Sequence, residues 1–303
     1  MGGDRTAAAL GGAEARYRAN QLDAEPGRLA RLRTRAGALI ESPSASTLAE
    51  PAPDQVSWGP QQIILAAVIA VPGVVVALVI PAVVVLVLVQ AGVIHSLQGH
   101  SLTAILPYYN FAATVLFYGA LLGIVLFFAN RHGGRAWARL GLHRPELWIL
   151  ILMPPAAFLL QVLTGVISAI LSPLLGGMKN PQGCSISQAF GAEPYLAVIS
   201  LAVIAPVVEE IVFRGFIYGG LRTRLGVAVS VVVSAAIFAL AHTFSVGGSI
   251  LLLGPSLFLA GVALALVYER TRSLVPGMVL HASFNLIAVV AIFVVGTHAA
   301  CHS

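Results

Sequence analysis

Charge is the scarcest property of this chain. Only 10% of its 303 residues are Asp, Glu, Lys or Arg, while 58% are hydrophobic and the mean hydropathy is +0.91. An ordinary soluble domain carries ~25% charged residues, so this composition excludes one. Cysteine is almost missing too. Cys184 and Cys301 are too few for a disulfide scaffold or a cysteine metal cluster, although both fall in segments expected outside the membrane, where one bridge is chemically allowed. The ~10-residue alternating segments of a membrane barrel are absent. No signal-peptide core precedes the first long apolar run.

What the chain has instead is apolar length. Runs long enough to cross a ~30 Å hydrocarbon core occur near 62–90, 107–129, 147–172, 194–219, 227–244, 250–268 and 274–295. Backbone groups in lipid must be satisfied within the segment, so these runs are expected to be helices. The fold class is all-α, a polytopic transmembrane bundle of about seven spans, within a range of six to eight. The expected organisation is an Ala/Arg-rich, largely disordered N-terminal region at 1–61, a helical membrane domain at 62–295 and a tail at 296–303. Pro72-Gly73 and Pro81 in the first run, and Pro154-Pro155 in the third, are expected to kink or unwind their helices.

The formal net charge of +5 is not a nucleic-acid face. Arg131, Arg135, Arg139 and Arg144 share one short loop, Arg222 and Arg224 a second, and Arg270 and Arg272 a third. Seven arginines precede the first run. The intervening loops at 91–106 and 245–249 hold no Lys or Arg, and 173–193 holds only Lys179. Basic and neutral loops thus alternate, which predicts a cytoplasmic N-terminus and an external C-terminus. The Ala/Val/Gly/Arg-rich composition points to a bacterial cell membrane, and the expected partners are the lipid bilayer and a substrate. In "GRLARLRTRAGALI", Leu29, Leu32, Ala36, Leu39 and Ile40 recur at helical spacing among arginines. That pattern suits either a helix lying on an anionic membrane surface or a solvated basic tail.

Within the apolar runs the acidic residues are Glu209 and Glu210, in "PVVEEIVFRG". A charge near the bilayer centre costs ~2.5–3.5 kcal/mol on insertion scales, so it needs a partner or a task. Glu210 and Arg214 are four residues apart and share a helical face. Glu209 is turned ~100° away and cannot share that contact equally. An ion pair that stitches helices together accounts for Glu210 and Arg214 but leaves Glu209 idle. His242 ends the fifth run, and His281 and Asn285 lie four apart in the seventh. At 1.5 Å per residue, Glu209 is roughly 20 Å from Arg222 and His242 about 25 Å from Leu225. His281 and Asn285 are about 12 and 18 Å from Ser273. Tilt can bring all four into one cavity.

A carboxylate and an imidazole can hold and deprotonate water for attack on a carbonyl. A second imidazole and a carboxamide can donate hydrogen bonds to the oxyanion that develops. The same residues allow a zinc set of Glu209, His242 and His281, in which the metal activates the water. Spacing alone leaves both open. A lone membrane histidine is more often an interhelical hydrogen bond.

"EEIVFR", "FALAH" and "HASFN" stand in that order on successive runs, as EExxxR, FxxxH and HxxxN. The chain here resembles the CAAX-protease and bacteriocin-processing (CPBP, or Abi) family of intramembrane endopeptidases over roughly 147–295. The resemblance implies an intramembrane protease cutting a peptide or membrane-anchored protein, of the CAAX prenyl-endopeptidase type. It implies Glu209 as general base, Glu210 and Arg214 in support, His242 beside the water, and His281 with Asn285 at the oxyanion. It favours a glutamate mechanism with no required cofactor; a divalent metal such as zinc is the alternative. HExxH, GxSG followed by a histidine, and a membrane GxGD are all missing, which sets aside the other intramembrane protease classes. Two readings from different classes remain: a proton-coupled transporter using Glu209 and His242, and a non-catalytic immunity or scaffold protein of the same fold. No internal repeat of the transporter kind is evident.

Overall fold

The computed structural model describes residues 56, 58–93, 100–131, 136–178, 182–191, 193–246 and 250–294. The basic segment at 27–40 and Cys301 lie outside them. Cys184 is disulfide-bonded. Among the described residues the chain is helical and has no strand.

The long helices are α1 (Pro60–Gln90), α2 (His100–Asn130) and α4 (Leu147–Leu174), with the short α3 (Ala136–Leu140) between α2 and α4. After α5 (Gln182–Phe190) comes one long run: α6 (Pro194–Ala197), the π-helical segment π1 (Val198–Ile204), α7 (Ala205–Glu209), a second π-helical segment π2 (Glu210–Tyr218), and α8 (Gly219–Val246). The last two helices are α9 (Ile250–Thr271) and α10 (Leu274–Val294). Six stretches of the described residues are long and apolar enough to cross a membrane, and the chain is an integral membrane protein.

The longest of those stretches, Pro194–Thr243, holds two of the expected spans. They separate at Gly226, whose φ of 72° and ψ of 177° lie outside any helix. That backbone region is essentially confined to glycine, so a side chain here would be strained. The seven expected runs therefore all form helix. α1 continues through Pro72 and Pro81, and α4 through Pro154 and Pro155, so neither run unwinds at its prolines. Each proline removes one N–H, a loss a long membrane helix absorbs. α9 also reaches Thr271, which brings Glu269 into its last turn.

α1 and α2 pack on each other, and α1 is largely exposed, with Ala66, Ala77 and Pro81 its buried residues. α8 packs on α9, and α10 packs on α4. The largest apolar cluster joins Phe128, Phe213, Phe216, Tyr218, Phe238 and Tyr268, so its centre is π2. Trp58 fastens the start of α1 there. Its indole stacks on Phe216 with centroids 5.4 Å apart, and its Nε1–H donates to the Phe216 carbonyl at 2.8 Å.

The basic loops meet at one end of the bundle. Leu274 N donates to Gly141 O at 2.8 Å, Ser273 Oγ to His143 O at 2.7 Å, and Tyr268 Oη to Leu140 O at 3.2 Å. Beside them Glu269 accepts from Arg222 Nε at 2.8 Å, Arg272 Nη2 at 2.7 Å and Tyr218 Oη at 2.6 Å.

Candidate active site

Glu209 closes α7 and Glu210 opens π2, so the two neighbours sit where the winding widens. Short π windings inside α-helices are uncommon and cluster at functional sites. Glu210 points inward and is 0% exposed, as befits a carboxylate with dedicated donors. Its Oε1 accepts from Arg214 Nη1 at 2.9 Å and from His281 Nδ1 at 3.0 Å. Arg214, 1% exposed, sends Nη2 to the Gly261 carbonyl at 3.1 Å and lies over the Phe238 ring, 4.6 Å from its centroid. Gly277 lets α10 approach this closely, because a Cβ there would stand 2.9 Å from Glu210 Oε2.

Glu209 is held differently. Tyr118 Oη, on α2, donates to Glu209 Oε1. Glu209 Oε2 lies 3.3 Å from His242 Nε2 and 3.6 Å from His281 Nε2, and among the described residues it makes no hydrogen bond. The ring tautomers follow from the partners. His242 Nδ1 is 2.9 Å from the Phe238 carbonyl, which can only accept, so Nδ1 carries the hydrogen. His281 Nδ1 likewise donates to the Glu210 carboxylate. In their neutral forms both rings thus turn an unprotonated Nε2 toward Glu209 Oε2. A water alongside can donate one hydrogen to Oε2 and the other to Nε2 of His242. Its oxygen lone pairs are then left for an electrophile.

These groups face a cavity of about 1120 Å³ lined by Tyr118, Glu209, His242, His281 and Asn285 amid predominantly apolar side chains such as Phe117, Val212, Leu257 and Phe284. Glu210 and Arg214 are not among its lining residues. The structure therefore brings together the residues singled out from sequence and sorts them into two layers. Asn285 is set slightly apart: its Nδ2 donates to Leu201 O, in π1, at 2.8 Å, which orients the carboxamide and leaves a second N–H. Tyr118 escaped the sequence reading. It stands in an apolar helix with no charged neighbour, and no local pattern distinguishes it from a core tyrosine.

Among the described residues no three His, Cys, Asp or Glu side chains are spaced as ligands of one ion. Glu209, His242 and His281 converge as a carboxylate between two imidazoles.

Residues 191–287, which hold this constellation apart from Tyr118, match the family described as type II CAAX prenyl endopeptidase Rce1-like. The match is narrower than the 147–295 expected from the three motifs and leaves α1, α2 and α4 outside it. The chain is also 34% identical over 86 residues to the UPF0177 protein YxdF of Lactococcus lactis subsp. lactis (strain IL1403), covering 28% of this chain and 44% of that protein. The chain thus spans under half of this relative's length. No solved structure matches the chain.

Proposed function

We propose that the protein is an intramembrane endopeptidase of the CAAX type, hydrolysing a peptide bond of a membrane-associated polypeptide by a glutamate mechanism. One observation carries this reading: a buried carboxylate with an unbonded oxygen, set between two imidazoles and facing an apolar cavity. The Rce1-like segment supports the reaction class.

In the proposed reaction Glu209 Oε2 and His242 Nε2 hold a water against the substrate carbonyl. Glu209 takes one water proton as the oxygen attacks the carbonyl carbon, and the C=O electron pair moves onto oxygen. The second N–H of Asn285 donates to this oxyanion, and so does His281 Nε2 in its imidazolium form, which Glu210 neutralises. Collapse restores the C=O bond, breaks C–N and returns the Glu209 proton to the leaving nitrogen. Arg214 and Glu210 act one layer behind, by fixing His281. No protein metal is required in this scheme.

The test uses detergent-purified protein and its Glu209→Gln variant, each carrying a photocrosslinker beside the cavity, incubated with the native membrane fraction. The variant is expected to accumulate a crosslinked polypeptide that the wild type cleaves. Elemental analysis of active protein is the second arm. One zinc per chain, lost with activity on chelation and restored with it, overturns the glutamate mechanism. Proton flux into proteoliposomes without cleavage overturns the protease reading in favour of a transporter.

The proposed setting is a bacterial cell membrane with the basic loops in the cytoplasm. Seven helices then put the end of α10 outside, and a reporter fused beyond it that is active only in the cytoplasm is expected to be silent.

A further inference from the structure

Tyr118 contributes to the site from a helix that the Rce1-like match does not include. It is half-buried on α2, its ring packs edge-on against Phe117 with centroids 5.0 Å apart, and it lines the same cavity as Glu209. Its hydroxyl donates to Glu209 Oε1, the oxygen turned away from both histidines.

We infer that Tyr118 is a positioning residue that fixes the plane of the Glu209 carboxylate, so that one oxygen is held by the phenol and the other is presented to water. The terminal torsion of a glutamate is broad, so packing alone does not fix the plane of its carboxylate. A donor on one oxygen does. With Oε1 engaged by the phenol, the uncommitted lone pairs belong to Oε2, where His242 and His281 converge. A phenol suits this task better than a cation. It supplies one directed hydrogen bond without adding a charge that would have to be solvated in lipid. The arrangement also gives the α1–α2 pair a share in the chemistry: α2 lies against π2 and carries the phenol to the carboxylate.

The catalytic consequence rests on the proposed endopeptidase activity, and the carboxylate orientation does not, so the experiment has two arms. In the kinetic arm Tyr118→Phe keeps the ring and removes the donor. The expected result is a kcat roughly 10–100-fold lower, the equivalent of one hydrogen bond to a charged group, with KM changed less than about two-fold. A merely structural tyrosine would lower thermal stability and leave kcat per folded molecule unchanged, and that outcome overturns the inference. In the spectroscopic arm the Glu209 carboxylate bands are isolated as the infrared difference between wild type and Glu209→Gln. They are expected to shift in Tyr118→Phe, whether or not a substrate has been found. Unshifted bands overturn the inference even if cleavage is slowed. Where Tyr118→Phe does not fold, 3-fluorotyrosine at position 118 keeps the ring and strengthens the donor, and is expected to move the same bands the opposite way. An absence of cleavage by wild type defeats the proposed function alone, and the bands still decide the inference.

Discussion

Two carboxylate-centred clusters lie along this bundle, and they use the same kinds of side chain in different ways. At the basic end Glu269 gathers Arg222 and Arg272, which like Glu269 are partly open to solvent, together with the buried Tyr218. In the interior Glu210 gathers Arg214 and His281 with almost no exposure. The end cluster spends its donors on each other and leaves Glu269 no direction to act in; it ties α9 to the turn after π2. The interior cluster is arranged in two layers, and its front carboxylate, Glu209, keeps one oxygen unbonded. A carboxylate with cationic partners is therefore no mark of a site by itself. The mark is a carboxylate whose neighbours stop short of satisfying it, beside a cavity.

The comparison breaks most easily at its front residue. Glu209→Gln preserves volume and removes the base, so cleavage is expected to fall by ~10²–10⁴-fold or below detection, with the melting temperature of the detergent-solubilised protein within a few degrees of wild type. An active Glu209→Gln enzyme would make the two clusters equivalent.

Next comes the layer behind. Arg214→Ala strands the buried Glu210 and is expected to cost about 3–5 kcal/mol of stability, read by thermal or denaturant unfolding in detergent. Equal melting temperatures for wild type and Arg214→Ala would remove the supporting role assigned to this pair. Asn285→Ala should slow cleavage ~10²–10³-fold without a comparable loss of stability, as removal of one oxyanion donor does. If it instead destabilises and leaves turnover of the folded fraction intact, its bond to Leu201 is its whole function.

The smallest effect belongs to the end cluster. Glu269→Gln is expected to cost only about 1 kcal/mol, less at high salt, with turnover unchanged, since exposed pairs are weak and screened. A large, salt-independent loss would show that the two clusters differ less than their exposure indicates.

Much of this was legible in the chain. Helix positions followed from apolar length, because lipid leaves the backbone one solution. The division between Glu209 and Glu210 followed from the four-residue spacing to Arg214, and the motifs on three runs pointed to one cavity. Three things were not legible. The π windings of 198–204 and 210–218 have no common signature in composition, since the first is plain apolar sequence and the second holds the Glu210–Arg214 pair. Tyr118 lies 91 residues before Glu209 and meets it only through packing of α2 on π2. Glu269 looked like a loop residue because the apolar run stops before it, while the helix continues on the strength of its bonds to Arg222 and Arg272. In each case tertiary contact decides what local pattern cannot.

The π2 segment carries a consequence for how the chain tolerates change in length. A π winding holds more residues per turn than an α-helix, so it behaves as a helix that has absorbed an insertion. A one-codon deletion at Val212 would therefore be absorbed by a return to α winding, with the run beyond it close to its present phase. The same deletion within the α winding of α8 has no extra residue to give up and would turn everything beyond it by ~100° about the axis.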